Sequence, residues 1–163
     1  MPTELGGIYV DNDQFVLRPL DDLYNESMVI SIEVKDFNCG NGFLLAEPKA
    51  PFLHRWLSNY TDFNGSHWAV HSTVRPYRLS RDFPLLVRVI DSFYIPSYWK
   101  VRAFFNRTLT PSHDWSKQHG FHLYHNRVHD LFMKKRIDFQ DNVVGEVVRY
   151  ILYGDMKKCM QRA

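Results

Sequence analysis

Two aspartates stand near the beginning of the chain, directly after a short hydrophobic run. Asp11 and Asp13 follow Ile-Tyr-Val in the segment GGIYVDND. Residues i and i+2 of an extended segment project to the same side, so both carboxylates can face one cation. Oxygen ligands suit Mg²⁺ or Mn²⁺, and a cation held by one or two carboxylates keeps positions open for a diphosphate. The pair therefore predicts a metal site that holds the phosphates of a nucleotide.

Two alternative readings of Asp-Asn-Asp follow from the same residues. An EF-hand calcium loop also begins with D-x-D, but it needs Gly at its sixth position for a sharp turn, and Val16 stands there. The calcium loop is therefore excluded. Aspartate and asparagine also favour turns in general, so the tripeptide taken alone favours a turn that binds nothing over a metal site.

Histidines concentrate in the last third of the chain and raise the alternative of a zinc site. His125 and His129 are four residues apart and would share one face of a helix. No H-E-x-x-H arrangement is present and no cysteine lies nearby, so zinc is disfavoured against hydrogen-bonded structural histidines. The cluster comprises His113, His119, His122, His125 and His129.

Several aromatic residues offer a second kind of chemistry, because aromatic rings can stack on the apolar faces of sugars. Residues of this type are more often part of the hydrophobic core, and we predict core for this set. The set comprises Trp68, Tyr94, Tyr98 and Trp99. For Asn41, a role in a turn and a role in substrate binding are equally compatible with the sequence.

Size and composition restrict the class of protein. The 163 residues suit one domain, and 45% hydrophobic with 15% aromatic residues is typical of a globular protein. The net charge is only +2 and the basic residues are scattered, so we expect no nucleic-acid partner. Cys39 and Cys159 are too few for a disulfide framework; they can pair or be buried thiols, and the second is favoured.

The sequence carries few features of targeting. No apolar run approaches the length of about 20 residues that spans a bilayer, and the first residues lack a signal-peptide pattern. Four N-x-[S/T] sequons exceed the number expected by chance and favour a secretory lumen, although a cytosolic location stays open. They begin at Asn25, Asn59, Asn64 and Asn106.

The elements that must position these residues alternate between strands and helices. Strands are predicted at residues 7–10 (buried), 15–17, 28–34, 42–46 (after a turn at 38–41), 85–90 (buried) and 121–124. Helices are predicted at residues 51–60, at 68–82 with an interruption at Pro76, and around the apolar spacing of residues 144–152 with Asp141 or Asn142 as cap. The alternation indicates an α/β layered fold.

An ordered set of motifs resembles one known family. The segments GGIYVDND, NGFLLAEP, HWAVHSTVRPYRLS, FYIPSYWK and FHLYHN follow one another between residues 6 and 126, and the resemblance as a whole covers most of the chain from residue 5 to about residue 158. In this order they resemble the DXD-motif α1,4-glycosyltransferases, the family of lactosylceramide 4-α-galactosyltransferase and α1,4-N-acetylglucosaminyltransferase. One difference is Arg75-Pro76, where the family has Gly-Pro.

The resemblance implies roles for individual residues. Asp11 and Asp13 would bind the metal, with Asp13 also acting in catalysis. Asn41 and Gly42 would bind substrate. His122, with Tyr124 in the position of the family's following aromatic, would reach the metal or the diphosphate and assist catalysis.

The resemblance also implies a fold and an activity. We expect the C-terminal portion of a nucleotide-diphospho-sugar transferase (GT-A-like) fold, with residues 1–163 forming a single glycosyltransferase-like domain that is the C-terminal part of a longer catalytic domain. The reaction would move a hexose or N-acetylhexosamine from a nucleotide sugar, such as a UDP-sugar, to a glycan or glycolipid, with retention of configuration and with Mn²⁺ or Mg²⁺ as cofactor. A preceding membrane anchor would place the full-length protein in the Golgi. The alternative is a non-catalytic binding or partner subunit.

Overall fold

The chain is described by a computed structural model that covers residues 4–61, 63, 65–67, 69–93, 96–109, 114–132 and 140–154. Its strands are β1 (Gly7–Val10), β2 (Gln14–Val16), β3 (Met28–Val34), β4 (Asn38–Ala46), β5 (Arg88–Ile90) and β6 (Gly120–His122). Its α-helices are α1 (Pro51–Ser58), α2 (Arg75–Asp82), α3 (His125–Phe132) and α4 (Val143–Tyr153). Short 3₁₀ turns and one π-helical segment, Val70–Val74, connect them.

Four strands form a mixed sheet in the order β1-β4-β3-β5. The β1–β4 and β3–β4 pairs are antiparallel, whereas β3 and β5 are parallel. The other two strands, β2 and β6, form a separate antiparallel ribbon. The predicted α/β class is therefore confirmed as a mixed α/β architecture with a mixed sheet.

The core lies on both faces of the four-stranded sheet, because neighbouring residues of a strand project to opposite sides. In β3, Val29 contributes to one hydrophobic cluster, and Met28 and Ile30 contribute to the other. The first cluster includes residues of the β2–β6 ribbon and of α4, and the second includes residues of α1. Helices on one face and the ribbon with α4 on the other make three layers, with the ribbon held against the sheet.

Two strand predictions are wrong in burial or extent. The strand at 7–10 forms, but Ile8, Tyr9 and Val10 are all more than a third exposed, because β1 pairs only with β4 within the described sheet. The predicted buried strand at 85–90 is shortened to β5, and a 3₁₀ turn takes up its beginning. Leu85 in that turn is 97% exposed.

The predicted turn at residues 38–41 is also wrong. Strand β4 includes Asn38, Cys39 and Gly40. The chain reverses direction between β3 and β4 at residues 35–37, just before the predicted turn. Asp36 in this reversal has a positive φ of 59°, a conformation that Asp tolerates better than most residues. Cys39 is a buried free thiol, as favoured from the sequence, and burial raises its pKa to about 12. Cys159 lies outside the described residues.

The helix predictions are largely confirmed. Pro51 begins α1, and Pro76 lies in the first turn of α2, where a missing N–H costs little. The interruption expected at Pro76 takes the form of a change from π-helix to α-helix just before it. Asn142 caps α4 by accepting a hydrogen bond from the Gly145 N–H, at 2.9 Å. No helix among the described residues is long and apolar enough to cross a membrane.

Candidate functional site

The two aspartates lie in the tight turn that joins β1 to β2. The Asp11 N–H donates to the Gly42 carbonyl at 2.8 Å, which extends the β1–β4 pairing by one residue. The Asp11 carbonyl then accepts the Gln14 N–H at 3.1 Å and closes the turn. The Asp13 carbonyl accepts the Leu123 N–H at 2.9 Å. The backbone of the turn is therefore held by β4 on one side and by the end of β6 on the other.

The β2–β6 ribbon brings His122 to the same place. Gln14 pairs with His122 in the ribbon. Asp13 directly precedes Gln14, so the His122 imidazole lies beside Asp13. The His122 Nε2 atom lies 3.1 Å from Asp13 Oδ1 and 4.0 Å from Asp11 Oδ2. One potential ligand atom from each of the three side chains lies within 4.8 Å of the others. Three residues expected in one site are thus brought together.

Hydrogen bonds organise the two carboxylates differently. Asp13 accepts from the His122 imidazole and, through Oδ2, from the His125 backbone N–H at 2.8 Å. The hydrogen bond from His122, and next the one from His125, hold the pKa of Asp13 below its ordinary value. Asp11 accepts from the Tyr9 hydroxyl at 2.7 Å, and this bond raises the pKa of Tyr9. These hydrogen bonds therefore fix the orientation of both carboxylates, and those to Asp13 favour its anion.

The donor set fits a divalent cation. Carboxylates suit Mg²⁺ and Mn²⁺, and the nearby imidazole shifts the preference toward Mn²⁺ as the transition metal of the two. Asp11 and Asp13 are half-buried and His122 is buried, so the cluster opens to solvent on the carboxylate side. A cation bound there would keep positions open for an exogenous ligand.

Tyr124 supports the imidazole from behind. Its ring stacks on the His122 ring, with centroids 3.9 Å apart and planes 28° apart. The Tyr124 hydroxyl donates to Glu33 Oε1 at 3.0 Å, and Glu33 Oε2 accepts from the Asn38 amide at 2.9 Å. Tyr124 has a positive φ of 49°, which is uncommon for a bulky residue and occurs preferentially at functional sites. These contacts position the imidazole on the aspartates.

Sequence reasoning missed three of these supporting residues. Tyr9 is two residues before Asp11, so the alternation of a strand could have placed both on one side. Glu33 and Asn38 are separated from Tyr124 by 91 and 86 positions, and no local pattern connects them.

The aspartates open onto a cleft of about 680 Å³. Residues from the 35–37 reversal, from β4, from the 97–100 segment and from the start of α3 form its walls. The lining includes Asn12, Glu33, Phe37, Asn41, Tyr98, Trp99, Tyr124, His125 and Asn126. Asn41 therefore faces the cleft, whereas Gly42 is buried in β4 and contributes its carbonyl to the Asp11 turn.

The remaining histidines do not add to this cluster. The His125 and His129 rings meet edge to face at 5.1 Å on α3, as their spacing predicted. Among the described residues, three potential metal ligands come together at Asp11, Asp13 and His122 only. The zinc site considered for His125 and His129 therefore gains no third ligand from the described part of the chain. His119 instead contacts Ser92 and Asp22. His113 lies outside the described residues.

The aromatic residues divide between the core and the cleft. Tyr98 is half-buried and Trp99 is 76% exposed, so the prediction of core is wrong for Trp99. Both rings line the cleft. Trp68 and Tyr94 lie outside the described residues, as does the sequon residue Asn64. Arg75 does not line the cleft; its guanidinium donates to the Asn59 carbonyl.

Two characterised fungal proteins are similar to this chain. The chain is 33% identical over 132 residues to glucan organizing enzyme 1 of Cryptococcus neoformans, an alignment that covers 74% of the chain and 35% of the relative. It is 30% identical over 69 residues to inositol phosphoceramide mannosyltransferase 1 of Schizosaccharomyces pombe, covering 42% of the chain and 22% of the relative. Thus the matched part is about a third of the first relative and about a fifth of the second.

No protein-family model and no solved structure matches the chain. The two similarities support a general relationship to glycosyltransferases, since one relative is a mannosyltransferase by name and the other a glucan organizing enzyme. Neither relative bears the name of the α1,4 family.

Proposed function

We propose that this chain is the metal-binding and acceptor-facing part of a glycosyltransferase. It moves a hexose or N-acetylhexosamine from a nucleotide sugar, such as a UDP-sugar, to a glycan or glycolipid acceptor, with retention of configuration. The metal is Mn²⁺ or Mg²⁺. The observation that carries the proposal is the meeting of Asp11, Asp13 and His122 at the edge of one cleft, in a chain similar to a mannosyltransferase.

Each residue of the cluster has a distinct part in this proposal. Asp11 and Asp13 hold the cation, and His122 acts as the third ligand or as a hydrogen-bond donor to the diphosphate. When bound, the cation supplies charge neutralisation for the departing diphosphate. Asp13 is the more firmly positioned acid, because both of its oxygens accept hydrogen bonds from groups near β6 and α3. We therefore expect its loss to be more damaging than the loss of Asp11.

Substrate contacts follow from the cleft. Asn41 faces it and is proposed to bind substrate hydroxyls, while Gly42 acts indirectly by holding the backbone of Asp11. The names of the relatives, with glucan in one and inositol phosphoceramide in the other, are compatible with either a glycan or a glycolipid acceptor. A Golgi location for the full-length protein stays a prediction from the family resemblance and the sequons.

The test is calorimetric titration of UDP into the purified chain with and without Mn²⁺. We expect binding that depends on the metal and is lost in Asp13→Asn, which preserves the shape of the side chain but removes its charge. The matched control is Asp21→Asn, an exposed aspartate of the 3₁₀ turn at residues 21–23. Circular dichroism checks that all three proteins are folded.

The outcomes separate catalysis from the alternative. Metal-dependent UDP binding that survives Asp21→Asn but not Asp13→Asn supports the proposal. Absence of binding in a folded chain contradicts it and favours a non-catalytic binding or partner role. Equal loss in both variants would point to a general effect of net charge and would also contradict a specific site.

A further inference from the structure

Trp99 is an exposed aromatic residue in the wall of the cleft. Its side chain is among the most exposed of the large hydrophobic residues of the described chain, at 76%, yet it lines the same cavity as the two aspartates. Exposing an indole to water is unfavourable, since burial of a large aromatic side chain contributes on the order of a few kcal/mol. Ligand pockets are typically lined by aromatic side chains together with a few polar groups, and Trp99 has this setting.

The ring of Trp99 is held by its neighbours. Tyr98 meets it edge to face, with centroids 5.1 Å apart and planes at 87°. The Arg127 guanidinium lies 4.7 Å from the Tyr98 ring centroid and 5.8 Å from that of Trp99, within the range of cation–π attraction. Arg127 belongs to α3, so a helix, and not only the local loop, supports the indole. A ring restrained in this way loses little entropy when a ligand stacks on it.

A continuous series of rings joins Trp99 to the metal cluster. Tyr98 meets Tyr124 edge to face at 5.4 Å, and Tyr124 stacks on His122. His122 contacts Asp13 directly. The exposed indole is therefore connected to the aspartates by a series of direct side-chain contacts, which sets its position relative to the metal cluster.

Polar groups suited to hydroxyls line the same cavity. Asn12, Asn41 and Asn126 line the cavity, and side-chain amides can both donate to and accept from hydroxyl groups. A sugar ring presents an apolar face of C–H groups with hydroxyls around its rim. A flat indole beside several amides is complementary to that combination and less so to a purely apolar or purely ionic ligand.

From these observations we propose that Trp99 is the stacking platform for a pyranose ring of the acceptor. This inference deepens the proposed function and rests on it in one respect, the identification of the ligand as the acceptor. Tyr98 and Arg127 are positioning residues, because they hold the indole and are not proposed to contact the sugar. The stacking prediction itself requires only that a pyranose ring binds the exposed face of the Trp99 indole.

The test observes the indole N–H signals of the tryptophans by nuclear magnetic resonance during titration with saccharides. The probes are cellobiose, lactose and methyl α-mannopyranoside, with sorbitol as a polyol that has no ring. Trp99→Phe assigns the Trp99 signal and, as a conservative change, should retain much of the saccharide affinity. Trp99→Ala should weaken affinity by about tenfold or more. Tyr24→Ala, which removes a 58% exposed aromatic that does not line the cleft, is the matched control.

The expected result is a saturable shift of the Trp99 signal with at least one saccharide and none with sorbitol. The proposal is overturned if no saccharide shifts that signal, or if Trp99→Ala binds saccharide as well as Tyr24→Ala does. Mn²⁺-dependent UDP binding is measured in parallel on the parent protein and on Tyr24→Ala, and it reports on the proposed function separately. If metal and UDP binding fail in every protein while stacking on Trp99 persists, the glycosyltransferase proposal fails and the pyranose site stands.

Discussion

Gly120 is a position where the structure predicts a large effect from a small change. It lies in β6, two residues before His122. A Cβ atom built at Gly120 would stand 2.3 Å from Phe93 Cδ1 and 2.7 Å from the Gln14 amide nitrogen. Real Cβ atoms essentially never show contacts below 3.0 Å, so in Gly120→Ala a neighbour must move.

The neighbours of Gly120 have little freedom to move. Phe93 is fully buried and stacks on Phe43, with centroids 3.6 Å apart, and also on His119 at 5.8 Å. Overpacking in such a core costs about 1–3 kcal/mol. Gln14 donates its amide to the Phe93 carbonyl at 3.0 Å, and loss of that buried hydrogen bond adds about 1 kcal/mol. We therefore expect Gly120→Ala to lower the free energy of unfolding by about 2–4 kcal/mol.

The assay is urea denaturation followed by circular dichroism and by fluorescence. Gly65→Ala is the control, because a Cβ atom there would meet only the Phe63 ring at an ordinary 3.8 Å, and the expected change is within about 0.5 kcal/mol. Adding Phe93→Leu to Gly120→Ala should relieve the clash, so the double variant should be less destabilised than the sum of the single ones. A loss below about 0.5 kcal/mol for Gly120→Ala, with additive behaviour, would refute the reasoning.

Three further predictions concern other parts of the chain. The His119 hydrogen bond lowers the pKa of Asp22, so this contact stabilises the fold above the ordinary carboxyl range, and the stabilisation is lost as pH falls through the lowered pKa. Urea midpoints should therefore fall more steeply between about pH 5 and about pH 2 in the parent than in Asp22→Asn. Parallel profiles would contradict this. Asn142→Ala should cost at least about 1 kcal/mol in urea denaturation, because it removes the cap on the Gly145 N–H together with the amide's hydrogen bonds to the Phe105 carbonyl and to Gln140. A cost near zero would exclude a capping role. Cys39, buried and with its pKa raised to about 12, should resist alkylation at about pH 8 in the folded protein and react in urea, as peptide mapping would show; reaction in the folded state would contradict its burial.

Much of the local structure could be predicted from neighbouring residues. The apolar spacing of α4, its cap at Asn142 and the helix start at Pro51 depend on contacts within a few positions. The same is true of the turn that carries Asp11 and Asp13, since both acids and the hydrophobic run before them are consecutive in the chain. These features are encoded locally because helix caps, turns and i, i+4 contacts need no distant partner.

Burial was harder to predict, because it depends on which elements cover a strand. The run at residues 7–10 is apolar enough to be buried, yet β1 pairs with β4 alone within the described sheet and stays exposed. Trp99 was likewise expected in the core because its side chain is hydrophobic, but it lies on the wall of a cleft. Hydrophobic character measures the tendency to be buried but does not identify the surface that does the burying.

For the candidate site, the sequence by itself determined the chemistry of Asp11 and Asp13, and the family resemblance added His122 as the third residue. Only the tertiary structure decided that they meet: His122 reaches Asp13 across 109 positions because β2 pairs with β6 in the register that sets Gln14 beside His122. It also decided that Tyr124 and Glu33, 91 positions apart, support the imidazole. Contacts of this range depend on strand register and on packing of the whole domain, and a short stretch of sequence holds neither.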